Sequence, residues 1–135
     1  MKKSVMMCVF LMIFIMGGFL LVRSQDEQPK KIAIASEGET IDSQVEYKAA
    51  RCHFLLLFDD NGQLTEAVEN PYREQRGSAG LNCAELLAEL EVTVFVAGNM
   101  GEKMAEVLEI NDITFVAFEG TVKDALKHVL EKNRT

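Results

Sequence analysis

Apolar positions follow three different rhythms along the chain, and each predicts a different kind of element. The first is unbroken. "SVMMCVFLMIFIMGGFLLV" runs between Lys3 and Arg23 without a charge, about the length that crosses a bilayer. The second is a set of short apolar runs. "KIAIAS" (31–36) predicts a strand ending before Gly38. Within "HFLLLF" (53–58), Phe54 to Phe58 are all apolar, as a strand covered on both faces would be. "DDNG" (59–62) then predicts a two-residue hairpin with positive φ at both Asn61 and Gly62. The return strand, 63–69, is less regular and belongs nearer an edge. "TVFVA" (93–97) and "TFVAF" (114–118) are two more strands.

The third rhythm is helical. Ala84, Leu87 and Leu90 share one face of a helix opened by "GSAGLN" (77–82), where Asn82 and Glu85 match a capping box. Met104, Val107 and Leu108 share a second helix, which Asn111 is placed to end in the left-handed region. Thr121 caps a third helix, whose Val122, Ala125, Leu126, Val129 and Leu130 form a stripe at i, i+3, i+4, i+7 and i+8. The order β-β-β-α-β-α-β-α predicts one α/β domain. A hairpin opens a mixed five-stranded sheet, and right-handed crossovers extend it as parallel strands with helices packed on it.

Charge divides the chain into parts. Residues 1–24 have a basic start, an apolar middle and a polar exit, the pattern of a signal peptide or an N-terminal transmembrane anchor. Residues 25–30 form a polar tether containing Pro29, and 31–132 form the domain. Either reading of the first segment puts the domain outside the cytoplasm: membrane-anchored, or secreted or periplasmic if the segment is cleaved. Residues 25–135 hold 11 basic and 21 acidic residues, a net charge of −10, which repels nucleic acid. Membrane contact therefore falls to the N-terminal segment.

Candidate chemistry gathers where the parallel strands end, since ligands of open α/β sheets bind outside those carboxyl ends. "AGNMG" (97–101) and "GSAGLN" both fall there, offering the backbone at Gly80, Gly98, Asn99 and Gly101 to a small anion. They match neither a phosphate loop nor a dinucleotide fingerprint. Cys8 lies in the apolar segment, which leaves Cys52 and Cys83 in the domain. Arg51 beside Cys52, and a helix start near Cys83, are expected to lower the thiol pKa values and favour thiolate, the metal-binding form. An inert buried thiol or a disulfide are the alternatives. His53 and Cys52 are adjacent, so on a strand they diverge, which argues against a Cys–His dyad. His128 sits at the boundary of the last helix's apolar face. No Ser–His–Asp order or paired-carboxylate motif marks an enzyme.

The region 31–130 resembles the dinitrogenase iron–molybdenum cofactor biosynthesis family. The resemblance rests on "KIAIAS", "DSQV" (42–45), "RCHFLLLFDDNG" (51–62), "ENP" (69–71), "AG" (79–80), "AGNMG" and "GTVKDAL" (120–126), in that order and spacing. It implies a ribonuclease-H-like fold and a non-enzymatic carrier of an iron–sulfur-type or iron–molybdenum-type cluster. Many members carry His-Phe-Gly-Arg before the second strand. This chain has Lys48-Ala49-Ala50-Arg51, keeping the arginine and Cys52 but not the histidine. The resulting expectation is a divergent, exported cluster or anion carrier, with Lys48, Arg51, Cys52, Gly80, Cys83, Gly98, Asn99 and Gly101 at its rim and Cys52 and Cys83 as metal ligands. The alternative is a non-catalytic exported interaction module that kept the fold and lost the site.

Overall fold

The computed structural model describes residues 30–134. The expected signal or anchor segment (1–24) lies outside the described residues. Among the described residues no helix is long and apolar enough to cross a membrane. Five strands form one sheet: β1 (Ile32–Ser36), β2 (Phe54–Phe58), β3 (Leu64–Glu69), β4 (Val94–Ala97) and β5 (Thr114–Ala117). Their order is β3-β2-β1-β4-β5. β2 runs antiparallel to both β1 and β3, whereas β1, β4 and β5 are mutually parallel. The mixed sheet and the element order are those the hydrophobic rhythm predicts.

Alternation of side chains divides the core in two. Ala33, Ala35, Leu55, Leu57 and Phe95 face α1 (Ala79–Glu89) and α2 (Glu102–Ile110), packing with Leu87, Met104 and Leu108. Ile32, Ile34, Leu56, Phe58, Val94 and Val96 face α3 (Val122–Lys132), against Val122, Ala125, Leu126 and Val129. The run Leu55–Phe58 is wholly buried because β2 lies between two strands and beneath helices on either face. β3 is a solvated edge. Thr121 caps α3 as expected, its hydroxyl accepting from the Asp124 N–H at 3.2 Å.

Three local expectations are corrected. The hairpin after β2 has positive φ only at Gly62 (84°), not at Asn61. Gly62 N–H donates to Asp59 O and Asp59 N–H to Gln63 O, while the Asp59 carboxylate accepts from the N–H groups of Asn61 and Gln63. That bonding makes a three-residue loop with glycine in the left-handed slot, the longer alternative to a two-residue turn. α1 starts at Ala79 after Ser78, so Asn82 lies inside the helix and the capping box does not form. At the end of α2 the left-handed residue is Asp112 (φ 56°), one place later than Asn111. The Asn111 side chain instead donates back to Val107 O at 2.8 Å.

Replacing Gly62 by alanine combines an unfavourable φ with a Cβ placed 2.7 Å from Leu130 Cδ1. Urea unfolding of Gly62→Ala is expected to show a loss of about 1–3 kcal/mol. An unchanged midpoint would refute this account of the turn.

Candidate functional site

The carboxyl ends of β1, β4 and β5 lie on one edge of the sheet together with the start of β2 and the end of β3. β1 leads away to β2 on one side and β4 leads to β5 on the other. Between β1 and β4 is thus the point where strand order reverses, the usual ligand crevice of an open sheet. The chain's own loop crosses it. After β1, Glu46 N–H donates to Ala35 O, and Gly98 and Asn99 N–H donate to the carbonyls of Glu46 and Tyr47 at 3.0 and 2.6 Å. Ala49 N–H returns a bond to Asn99 O, and Lys48 pairs with Asn99 as a parallel bridge.

This pairing requires glycine at 98. A Cβ there would stand 2.7 Å from Tyr47 Cα and 3.0 Å from its carbonyl oxygen, well inside contact distance. The amides of Gly98 and Asn99 are consequently engaged with the protein's own backbone. Gly80 likewise has a packing role, its missing Cβ letting α1 approach Met104 on α2. Gly101 differs. A Cβ there meets nothing within 4 Å, and it precedes α2, whose start has no side-chain cap. Lys48, Tyr47, Asn99 and Gly101 are all exposed on this rim.

Arg51 closes a short 3-10 turn (Ala49–Arg51) and points away from its neighbouring thiol. Its Nη1 donates to Arg73 O at 2.8 Å and Gln75 O at 2.7 Å. Buried Asn70 makes a second link between the same segments. Its Nδ2 donates to Ala50 O and Cys52 O, both at 3.0 Å, and contacts Cys52 Sγ at 3.7 Å, while its Oδ1 accepts from Tyr72 N–H. Sequence reasoning gave Asn70 no role. Its signal was the Asn-Pro pair, since asparagine readily caps the turn two residues on.

Cys52 and Cys83 are both free and wholly buried in the same apolar cluster, with Ala49, Ala84 and Met104. The expected lowering of their pKa values is reversed. Burial pushes the Cys52 thiol up, with smaller upward contributions from Cys83 and Glu46, against which the Asn70 hydrogen bond acts. Burial pushes Cys83 up to about 12. Arg51 gives its charge to loop carbonyls, and Cys83 is already in the second turn of α1, beyond the strongest part of the dipole. His53 diverges from Cys52 as expected. It is partly exposed, with Nδ1 3.5 Å from Glu46 Oε2, too long for a good hydrogen bond. Among the described residues no three His, Cys, Asp or Glu side chains converge as a metal site. A cavity of about 630 Å³ lies at the opposite end of the sheet, beside Lys31, Asp59 and Glu91.

The raised thiols have a consequence for stability. Above the ordinary value of 9.0, unfolded thiols ionise while folded ones stay protonated, so the folded state binds more protons and stability falls as pH rises. The slope is about 1.4 kcal/mol per pH unit for each thiol. Between pH 9 and 11, Cys83→Ala is therefore expected to lose stability less steeply than wild type by about that amount per unit. Parallel curves in urea titrations would contradict the buried-thiol assignment.

The comparisons with known proteins agree with this architecture. The family model described as dinitrogenase iron-molybdenum cofactor matches residues 30–132. The apo orange protein of Desulfovibrio gigas is similar, with 27% identity and a TM-score of 0.73 over 78% of this chain and 90% of that one. A Thermotoga protein provisionally described as a NifB protein is 25% identical, with a TM-score of 0.64 over 78% and 90%. A Methanococcus jannaschii protein provisionally described as a dinitrogenase shares the fold at 15% identity and a TM-score of 0.59, over 78% and 90%. No curated protein matches the chain. With most of its length covered by that one family model, the chain belongs to the dinitrogenase iron-molybdenum cofactor family.

Proposed function

We propose that the domain carries an iron–sulfur-type metal cluster, or another small anion, at the rim where Tyr47–Arg51 meets Gly98–Gly101. The observation that carries this reading is the pairing of Lys48 with Asn99 at the strand-order reversal, beside the uncapped start of α2. A cation and a helix N-terminus together favour an anionic group. Local charge supports it too. Segments 46–54 and 69–78 hold Lys48, Arg51, Arg73 and Arg76 against Glu46, Glu69 and Glu74, a small positive balance in a chain whose net charge is −7. Family membership supplies the class of cargo.

Cys52 and Cys83 lie beneath this rim as the proposed metal-contacting groups. A soft metal ion can displace a thiol proton even where burial disfavours the free thiolate. We read the protein as a carrier rather than an enzyme, in keeping with the divergence of Cys52 and His53. Residues 1–24 are proposed to place the domain outside the cytoplasm, on a membrane tether or after cleavage. Fractionation of cells making the full chain, with N-terminal sequencing, is expected to find it at the membrane or exported. A cytosolic chain with an intact N-terminus would remove that proposal.

Anaerobic reconstitution with iron and sulfide, followed by absorbance spectra and metal analysis, tests the cargo. Wild type is expected to gain a visible chromophore. Lys48→Glu, which turns an attraction at the rim into a repulsion, is expected to bind about tenfold more weakly. Loss of the chromophore in Cys52→Ser would assign it a ligand. A colourless, metal-free wild type would remove the cluster reading and favour the interaction module that kept only the fold.

A further inference from the structure

The two edges of the sheet are finished differently. We infer that β5 pairs with β5 of a second copy of this chain, antiparallel about a two-fold axis at Val116, so that one sheet runs through a dimer. This holds whatever the cargo is. β3 and β5 are the outer strands. β3 carries Glu66 and Glu69, and its register with β2 breaks at Leu57 and Phe58; charges and irregularities of this kind keep an edge from pairing. β5 has no charge and no proline, and its register along β4 is regular. Thr114 N–H and, just past the strand, Phe118 N–H donate inward to Thr93 O and Ala97 O. Backbone groups alternate in direction along a strand, so those of Phe115 and Ala117 point outward. Among the described residues no strand lies beyond them.

Symmetry and shape both select a second copy as the occupant. An antiparallel copy centred on Val116 sets Phe115 opposite Ala117 of the second copy, and Ala117 opposite its Phe115. Each such pair exchanges both of its hydrogen bonds. Sliding the copy until Ala117 meets Ile113 loses this, because Ile113 N–H is already engaged with Leu108 O. Carboxylates also avoid one another in the centred register. Asp112 falls opposite Gly120 and Glu119 opposite Ile113, whereas like charges face to face would oppose pairing. On the α3 side, Phe118 of the second copy falls opposite Thr114. Thr114 and Val116 line a cavity of about 380 Å³ with Val129 and Lys132 of α3. Phe118 is half-buried, its ring 5.5 Å from that of His128. Each copy thus has a recess at one end of the edge and an aromatic ring at the other. A two-fold pairing fills both recesses at once, the self-complementarity of an isologous contact.

Disulfide trapping in the full chain, with Cys8→Ser removing the thiol outside the domain, tests the pairing. Val116 faces its own copy across the axis as a non-hydrogen-bonded pair, with Cα atoms about 4.5 Å apart, within disulfide reach. Thr114, on the same face, lies roughly 14 Å from its own copy. On mild oxidation Val116→Cys is expected to form a linked dimer about tenfold faster than Thr114→Cys. Adding Ala117→Pro removes an outward N–H and no bond to β4, and is expected to slow that linkage about tenfold. Equal linkage through residues 114 and 116, or linkage indifferent to Ala117→Pro, would overturn the proposal. So would the absence of linkage, the result expected if β5 is free or held by another protein. Should the variants fail to fold, amide hydrogen exchange on the wild type decides. The Phe115 and Ala117 amides are expected to gain protection as protein concentration rises, and fast exchange at every concentration would refute the dimer.

Discussion

The close approach of Tyr47 to Gly98 is the constraint on which this edge of the molecule depends. Two backbone amides leaving β4 would otherwise be open to solvent or ligand, and the loop after β1 would have no fixed path. Because residue 98 lacks a Cβ, the loop can lie against it and exchange bonds with Gly98 and Asn99. The path is extended at the other side by Val45 N–H on Gly120 O, and by Val122 and Lys123 N–H on Ser43 and Ile41 carbonyls. One loop therefore joins the ends of three parallel strands and satisfies the first turn of α3. It also delivers Lys48 to the reversal point and starts the turn that buries Cys52. The site is a by-product of satisfying backbone groups at a sheet edge.

Charge and sulfur are separated by depth in this arrangement. Lys48, Arg51, Arg73 and Arg76 are exposed, and the two thiols are buried in apolar surroundings. An exposed cation acts on a long-range, salt-screened attraction, whereas a buried thiol acts only at contact. The raised thiol pKa values follow from the same separation, because burial opposes charge more strongly than the nearby side chains can favour it.

The fold was legible because periodicity reports burial directly. Leu55–Phe58 and the α3 stripe each show in sequence which faces the core covers. Local turn chemistry was less legible. Asn61-Gly62 suits more than one loop, and it was the Asp59 carboxylate, reaching two amides downstream, that selected the longer one. Helix ends also shifted: Ser78 and Asp112 took the special conformations that Asn82 and Asn111 had the chemistry for. Both cases turn on backbone geometry that residue type leaves open. At the candidate site, the sequence reading brought Lys48, Gly98, Asn99 and Gly101 to one edge of the sheet, as the structure has them, but misjudged electrostatics. Adjacency of Arg51 and Cys52 in the chain suggested charge beside a thiol. In space the guanidinium reaches residues more than twenty positions away, and no pattern in the chain foretells that.

The lysine at position 48 has a physical reading within this geometry. A residue there sits at the start of the 3-10 turn in an extended conformation, its backbone bridged to Asn99, so its side chain is presented at the rim whatever its type. An imidazole at that place offers a directional nitrogen ligand, whereas an ammonium offers a charge with three donors and no lone pair. Lysine there makes the position a point of attraction rather than one of coordination. Coordination, if the domain performs it, must then come from groups below the rim. The soft donors there are Cys52 and Cys83, both buried in the core, so attracting a cargo and holding one are separate steps in this geometry.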